Sequence, residues 1–573
     1  MQQRYLLIPI LMCGVSFPAY AQDAGSLLRD KERAGETPKL RTLPTEETTN
    51  QPPPPPPVEA QAEQTVRIKS VRFDGNASLL TEAQRSQLAS TIEGTDVGFA
   101  EIGALAEGAN TALRQNGHLL ARAIVPPQDA TEGVLTITII EGALEDIIFN
   151  YEGNVRTNPA IFTRIANQYV DRQSLNKNDL ETALLRMNDM PGVAARSRLT
   201  PGDAAGTTKL VVDVSQAPIF SGSLSGDNFG SPSTGRAQGH AQIGLTDLTG
   251  SGDFTRLGLS VSEGQRYASA SLAMPLSVHG LLATFDYGYL DYKNIDAVGE
   301  AAGLEGSAHY GSVGLAHRAV RSRDRNLTLS GTLNGKVLRD DSAVGRLADK
   351  RIFSGTVAIS GDARDTVWGG GITQVSVSWT FGDLDLSNLP SAEFVDALTF
   401  QTQGKFHRLN ADIARLQKLP GNFSLYTSMS GQWANKNLDS SESFSLGGPY
   451  GVRGWPVGEA RGDKGLLSSA ELRYDAPIPA ALGVLQFAGF FDAGRIWVND
   501  RSFGIPPVNA CSCNSYSISS VGVSGSWRRD NINISVGWSH GLRRNPGRSA
   551  FLAQNADGST GRQQVWLSGS IRF

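Results

Sequence analysis

The chain has 573 residues, with 52 Lys+Arg against 56 Asp+Glu, so the net charge is −4. That near balance argues against nucleic acid as a partner. Glycine is high, 63 residues where average usage would give about 40, and charged residues are low, 19% against ~25%. After the N-terminus no apolar run reaches the ~20 residues that a membrane helix needs, which excludes a helical transporter. A membrane β-barrel stays open, because its strands need only alternate.

Residues 1–21 read as a signal peptide: Arg4, an apolar run from Leu6 to Phe17, and Ala19-Tyr20-Ala21 as the cleavage site. Cys13 follows Met12 and fits a lipoprotein signal poorly. Residues 22–35 predict a short helix carrying Leu27 and Leu28. Residues 36–64 hold six prolines, Pro52 to Pro57. Such a run forms an extended rod and cannot join a core, so it reads as a linker, with a disordered tail as the plainer alternative.

Two similar units follow. In 65–142 the order is strand (66–76), helix (81–92, with Thr81 as cap), helix (101–117), strand (120–128), strand (133–142). In 143–217 the order recurs as 144–154, 158–170, 176–190, 193–201 and 207–217, with Gly153-Asn154 echoing Gly75-Asn76. A period of about 75–80 residues indicates duplicated domains.

From 218 to 573 alternation dominates. Ile532, Ile534, Val536 and Trp538 share one face of their segment, and Asn533, Ser535, Gly537 and Ser539 the other. Val565, Leu567 and Ile571, and Leu257, Leu259 and Val261, repeat the pattern. An apolar face suits lipid and a Ser/Gly/Asn face suits a watery lumen. About sixteen antiparallel strands are predicted, from 218–228 through 563–573, closed because an open edge in lipid leaves backbone groups unpaired. Strand pairs are expected at 326–339/350–364 and 371–386/402–417. Short turns such as 251–253 lie at one end and longer loops, 387–401, 437–464, 498–515 and 544–562, at the other. Cys511 and Cys513 suit an oxidising compartment. A local disulfide is the first reading and two free thiols the second; no metal cluster accompanies them.

The β-α-α-β-β units resemble POTRA domains, and residues 117–142 resemble the first POTRA domain of two-partner-secretion transporters. The loop 439–465 contains Val452-Arg453-Gly454-Trp455, which resembles the VRGY/F motif of the inward-folded loop in that family and in the BamA-like superfamily. Trp455 departs from the commoner Tyr or Phe. Phe491-Asp492-x-Gly494 resembles the family's barrel-wall motif, and residues 227–236 resemble the same transporters. Phe573 resembles the terminal aromatic of outer-membrane proteins.

The resemblance implies a transmembrane β-barrel preceded by two POTRA domains and an N-terminal plug helix, located in the bacterial outer membrane with the POTRA domains in the periplasm. It implies that Arg453 pairs with Asp492 inside the lumen. The expected function is translocation of an unfolded, large secreted exoprotein (an adhesin, haemolysin or toxin) without nucleotide hydrolysis. The protein is expected as a monomer in contact with outer-membrane lipid, inserted by the outer-membrane assembly machinery. No catalytic residue and no cofactor are expected: the seven histidines form no H-E-x-x-H, and neither G-x-S-x-G nor G-x-x-x-x-G-K-[ST] occurs. The main rival is a BamA-like insertase, which usually carries more POTRA domains.

Overall fold

A computed structural model describes residues 22–36, 65–204, 207–502 and 509–573. The expected signal peptide and nearly all of the proline-rich linker lie outside the described residues. The remainder divides into two compact units.

The first POTRA-like module comprises β1 (Val66–Arg67), β2 (Ser70–Gly75), α2 (Glu82–Ala89), β3 (Asp96–Val97), α3 (Phe99–Gln115), β4 (Arg122–Ile124) and β5 (Val134–Ile140). The single strand expected over 66–76 is two. β1 pairs with β3, the chain is pinned at Ile68 by its bonds with Thr95 and Gly94, and β2 then runs parallel to β5. Thr81 caps α2, its hydroxyl accepting from Gln84 N at 3.2 Å. Ile68, Leu105, Leu113, Ile137 and Ile139 form the core.

The second module repeats this with β6 (Ala143–Glu152), α4 (Pro159–Tyr169), α5 (Lys177–Asn188), β7 (Val193–Pro201) and β8 (Thr207–Gln216). Its sheet order is β6-β8-β7, with β6 parallel to β8, as β2-β5-β4 is in the first. In both sheets the middle strand carries the buried alternation, Leu135/Ile137/Ile139 in β5 and Leu210/Val212/Val214 in β8. The outer strands keep an open edge.

The other unit is a closed antiparallel barrel of sixteen strands. In chain order they are β9 (Phe220–Asp227), β10 (Gln238–Thr246), β11 (Phe254–Val261), β12 (Gln265–Pro275), β13 (Leu281–Lys293), β14 (Glu305–Arg321), β15 (Arg325–Ser342), β16 (Gly345–Asp365), β17 (Gly371–Asp385), β18 (Gly404–Lys418), β19 (Phe423–Ala434), β22 (Lys464–Asp475), β23 (Val484–Trp497), β24 (Ser515–Arg529), β25 (Ile532–Gly541) and β26 (Gln563–Arg572). Between β19 and β22 the two short strands β20 (Phe444–Ser445) and β21 (Arg461–Gly462) pair with each other. The barrel closes by pairing β26 with β9, from Ser568↔Asp227 to Arg572↔Ser223.

The alternation sorts as lipid and lumen require. Leu259, Val357, Trp379, Val536 and Leu567 stand exposed on the outer face, while Ser269, Ser354, Ser376 and Thr380 line a cavity inside. Two loops differ from expectation. β15 and β16 pair as one long hairpin out to Ser342↔Gly345, so the stretch between 339 and 350 is strand and not loop. The connection 387–401 carries a helix, α7 (Pro390–Leu398), started by a proline at its first turn. A shorter helix, α6 (Ala297–Ala302), lies between β13 and β14. No helix among the described residues is long and apolar enough to cross a membrane, which says nothing against crossing by strands.

Candidate functional site

The N-terminal helix α1 (Ala24–Glu36) is seated against the inside of the barrel. Ala24, Leu27 and Leu28 are buried on an apolar patch that includes Leu290, Leu338, Ile352, Leu384 and Phe406. This patch interrupts an otherwise hydroxyl-rich lumen, and alternation alone does not reveal it. Its trace in the sequence is a stretch where both phases of a strand turn apolar, as at Tyr289-Leu290, or where the apolar residues switch phase, as from Trp379 and Phe381 to Leu384 and Leu386.

Polar contacts complete the seat. Asp340 Oδ1 accepts from Ala24 N at 2.8 Å, satisfying a donor at the helix start. Lys336 Nζ lies 2.9 Å from Glu32 and 3.0 Å from Glu442. Arg461 reaches Asp30 at 2.5 Å, and Ser440 Oγ donates to Asp23 at 2.6 Å. Arg29 and Arg33 donate to the carbonyls of Ser443 and Ser445. The helix therefore touches the wall on one side and the loop between β19 and β22 on the other. Cavities of about 850 and 430 Å³ flank it.

That loop folds into the barrel, and Arg453 fixes it. Arg453 Nη2 and Nε bind Asp492 at 2.7 and 2.9 Å, a bidentate pair, and Arg453 N donates to the same carboxylate at 3.1 Å. Nη1 binds Glu471 at 2.6 Å, Nη2 binds Ser469 at 3.1 Å, and the guanidinium lies 3.4 Å from the Phe490 ring centre. Arg473, 2.7 Å from Glu471, balances the second acid. Two cations thus face two anions, so the desolvated cluster is neutral. The Arg453 carbonyl accepts from Ser539 Oγ at 2.6 Å and Trp566 Nε1 at 2.8 Å.

Val452 and Trp455 are buried, and Trp455 Nε1 donates to the Ser519 carbonyl at 3.2 Å. An added Cβ on Gly454 would meet Ser520 Cβ at 2.6 Å and Gly541 N at 2.8 Å, so only glycine permits this approach. The indole of Trp455 in turn covers Gly541. Gly494 receives Leu446 from the same loop, where a side chain would collide.

One residue is corrected. Phe491 lies on the lipid face, 46% exposed, because odd-numbered positions of β23 point outward. The aromatic that meets Arg453 is Phe490, in phase with Asp492 and Gly494. Sequence reasoning also missed Ser469 and Glu471, whose signal was an acid in the lumen phase of β22. It missed Phe229 as well, packed edge-on against Tyr450 and Trp566. Cys511 and Cys513 are joined by a disulfide in the loop after β23. Among the described residues no His/Cys/Asp/Glu group is arranged to hold a metal.

A closed sixteen-strand barrel with a polar lumen, a helix inside it and POTRA-type modules before it defines an outer-membrane transporter. The family description "Haemolysin secretion/activation protein ShlB/FhaC/HecB" matches residues 206–510, and "POTRA domain, ShlB-type" matches residues 66–142. The chain belongs to the ShlB/FhaC/HecB haemolysin secretion/activation family. It is 29% identical over 562 residues to the heme/hemopexin transporter protein HuxB of Haemophilus influenzae, covering 95% of this chain and 94% of that one. It is 23% identical over 490 residues to the outer membrane transporter CdiB of Dickeya dadantii, covering 82% of each. In fold it is similar to CdiB from Escherichia coli (TM-score 0.64, 19% identity, 95% of each chain). It is also similar to BamA from Haemophilus ducreyi lacking POTRA domains 1–3 (TM-score 0.53, 14% identity, 89% of this chain and all of that one). The family is one of transporters. The chain is an outer-membrane protein-secretion transporter of the two-partner type, its POTRA domains facing the periplasm and its partner a secreted protein.

Proposed function

We propose that the described structure is the resting, occluded state of the transporter and that α1 leaves the lumen to admit an unfolded client. The observation that carries this is the seating of α1 inside the barrel on three small apolar side chains and a ring of exchangeable polar contacts. The polar lumen beside it offers serine and threonine hydroxyls, which wet the wall without gripping an extended chain.

Residues 22–35 act as the plug, 36–64 as its tether, 65–142 and 143–217 as the two POTRA domains and 218–573 as the barrel, with 439–465 as its inward loop. The open edges of the POTRA sheets suit an extended segment that adds as a strand, since backbone bonds supply affinity with little sequence demand. The client is a large exoprotein, an adhesin, haemolysin or toxin by class, and the name of the HuxB relative points to a heme- or hemopexin-related protein. The protein works as a monomer in outer-membrane lipid, reaches it through the assembly machinery, and catalyses no reaction. Folding of the client outside supplies direction in place of a nucleotide.

Comparative proteomics on a deletion strain tests this. Loss of one large exoprotein from the medium and cell surface, with an unchanged outer-membrane profile, is the expected outcome. A joint fall of many barrel proteins would instead make the protein an insertase.

A further inference from the structure

Toward the C-terminal end of β23, the outer wall carries a depression of about 550 Å³ between β22, β23, β24 and the segment after β25. Strand direction places it at the cell surface: β9 leaves the periplasmic side, so odd members of the sixteen run outward, and β23 is the thirteenth. Its floor is a row of small side chains, Ser468 opposite Ala493 and Ala493 opposite Ser519. Leu466, Phe491 and Leu542, each more than 40% exposed, border it, and they continue the lipid-facing surface of Val523 and Trp538.

Three arginines line the same depression, Arg495, Arg543 and Arg544, all exposed. None has an ion-pair partner among the described residues. The nearby loop acids are engaged elsewhere, Asp500 by Lys464 at 2.5 Å and Asp557 by Arg236 at 2.8 Å. Two other arginines at this end of the outer wall are matched: Arg339 lies 3.5 Å from Asp349, and Arg351 stands opposite Asp385 in the strand pairing. Arg495, Arg543 and Arg544 instead form an unmatched cluster of three around one depression. Guanidinium groups bind phosphate in bidentate geometry, and basic pockets beside an apolar wall select anionic lipid headgroups.

We propose that this depression binds an acylated sugar phosphate of the outer leaflet. The arginines hold the phosphate, the small-residue row receives the sugar, and Leu466, Phe491 and Leu542 meet an acyl chain. A glycerophospholipid of the inner leaflet lies at the wrong end of the barrel. The site stands just outside Trp455, which lines the same depression and belongs to the inward loop. Bound lipid would buttress the wall to which that loop is fixed.

The test is titration of the full-length protein in detergent micelles with bis-phosphorylated lipid A, read by native mass spectrometry and by the unfolding temperature. Wild type should bind and gain thermal stability. The triple variant Arg495→Gln/Arg543→Gln/Arg544→Gln should bind about tenfold or more weakly, the scale of losing one charge-assisted hydrogen bond. The corresponding triple Lys variant should keep most of the binding, and Arg339→Gln/Arg351→Gln should leave it unchanged. Heat-modifiable electrophoretic mobility checks folding, and the single Arg544→Gln variant carries the test if the triple does not fold. Equal binding by the triple Gln variant, by dephosphorylated lipid A or by phosphatidylglycerol would overturn the proposal, as would saturation by inorganic phosphate alone.

Discussion

Two structures occupy the lumen, the helix α1 and the loop between β19 and β22, and they are held in different ways. The loop is anchored by Arg453, bonded to Asp492, Glu471 and Ser469 with its carbonyl held by Ser539 and Trp566. Breaking one partner of such a buried pair costs about 3–5 kcal/mol, because the other charge stays behind. The helix relies on Leu27 and Leu28, which contribute about 1.5–3 kcal/mol each when buried. Its charged contacts can be remade with water. A helix of 13 residues is also marginal on its own, so α1 depends on its seat to stay folded. Under the proposed function, one inward element stays and the other goes.

Changes at the two seats should separate them. The largest effect is expected for Arg453→Asp, which sets a third acid beside Asp492 and Glu471. Secretion should fall to background with barrel protein still present by immunoblot. Adding Asp492→Arg should restore a part only, because Glu471 and Ser469 also addressed the original guanidinium. No recovery at normal protein levels would contradict direct contact.

Next comes Leu28→Asp, which places a charge on the apolar patch of Leu290, Leu338 and Phe406. α1 should undock, and single-channel conductance in planar bilayers should rise from near closed to a sustained open level. Glu32→Gln should act in the same direction but less, since Lys336 keeps Glu442. It should raise only the frequency of brief openings, and the difference from wild type should shrink in high salt.

The smallest effect concerns the second POTRA-like module. Asn150 and, after it, Arg198 hydrogen-bond Asp213 and hold its carboxyl below the usual carboxylate value. The pairing between β6, β7 and β8 is therefore strengthened above about pH 4 and loses that contribution as the pH falls below it. Protease resistance of this module should drop between pH 7 and pH 3, and by less in Asp213→Asn.

The parts that were legible in the sequence are those with a repeating physical signal. All sixteen strands lie where alternation placed them, since lipid and water impose a period of two on every one. Arg453, Asp492 and Gly494 were legible through motif residues, and the structure brings all three to one place. Phe491 was misassigned because two adjacent phenylalanines leave the phase open, and only the register of β23 decides it. The patch beneath α1 was not legible: its residues come from seven strands, β13 to β19, each contributing one or two side chains. The split of 66–76 into β1 and β2 was hidden for a similar reason, because Ile68 is apolar on either reading.

The occluded-state account is tested most directly by locking α1 to the loop. An added Cβ on Gly25 would lie 2.5 Å from Ser440 Oγ, so Gly25→Cys/Ser440→Cys is placed to form a bridge. The account predicts no secretion under oxidising conditions, recovery on mild reduction, and normal secretion by either single variant throughout. Full secretion by the cross-linked protein would show that the client passes with α1 in place, and would contradict it.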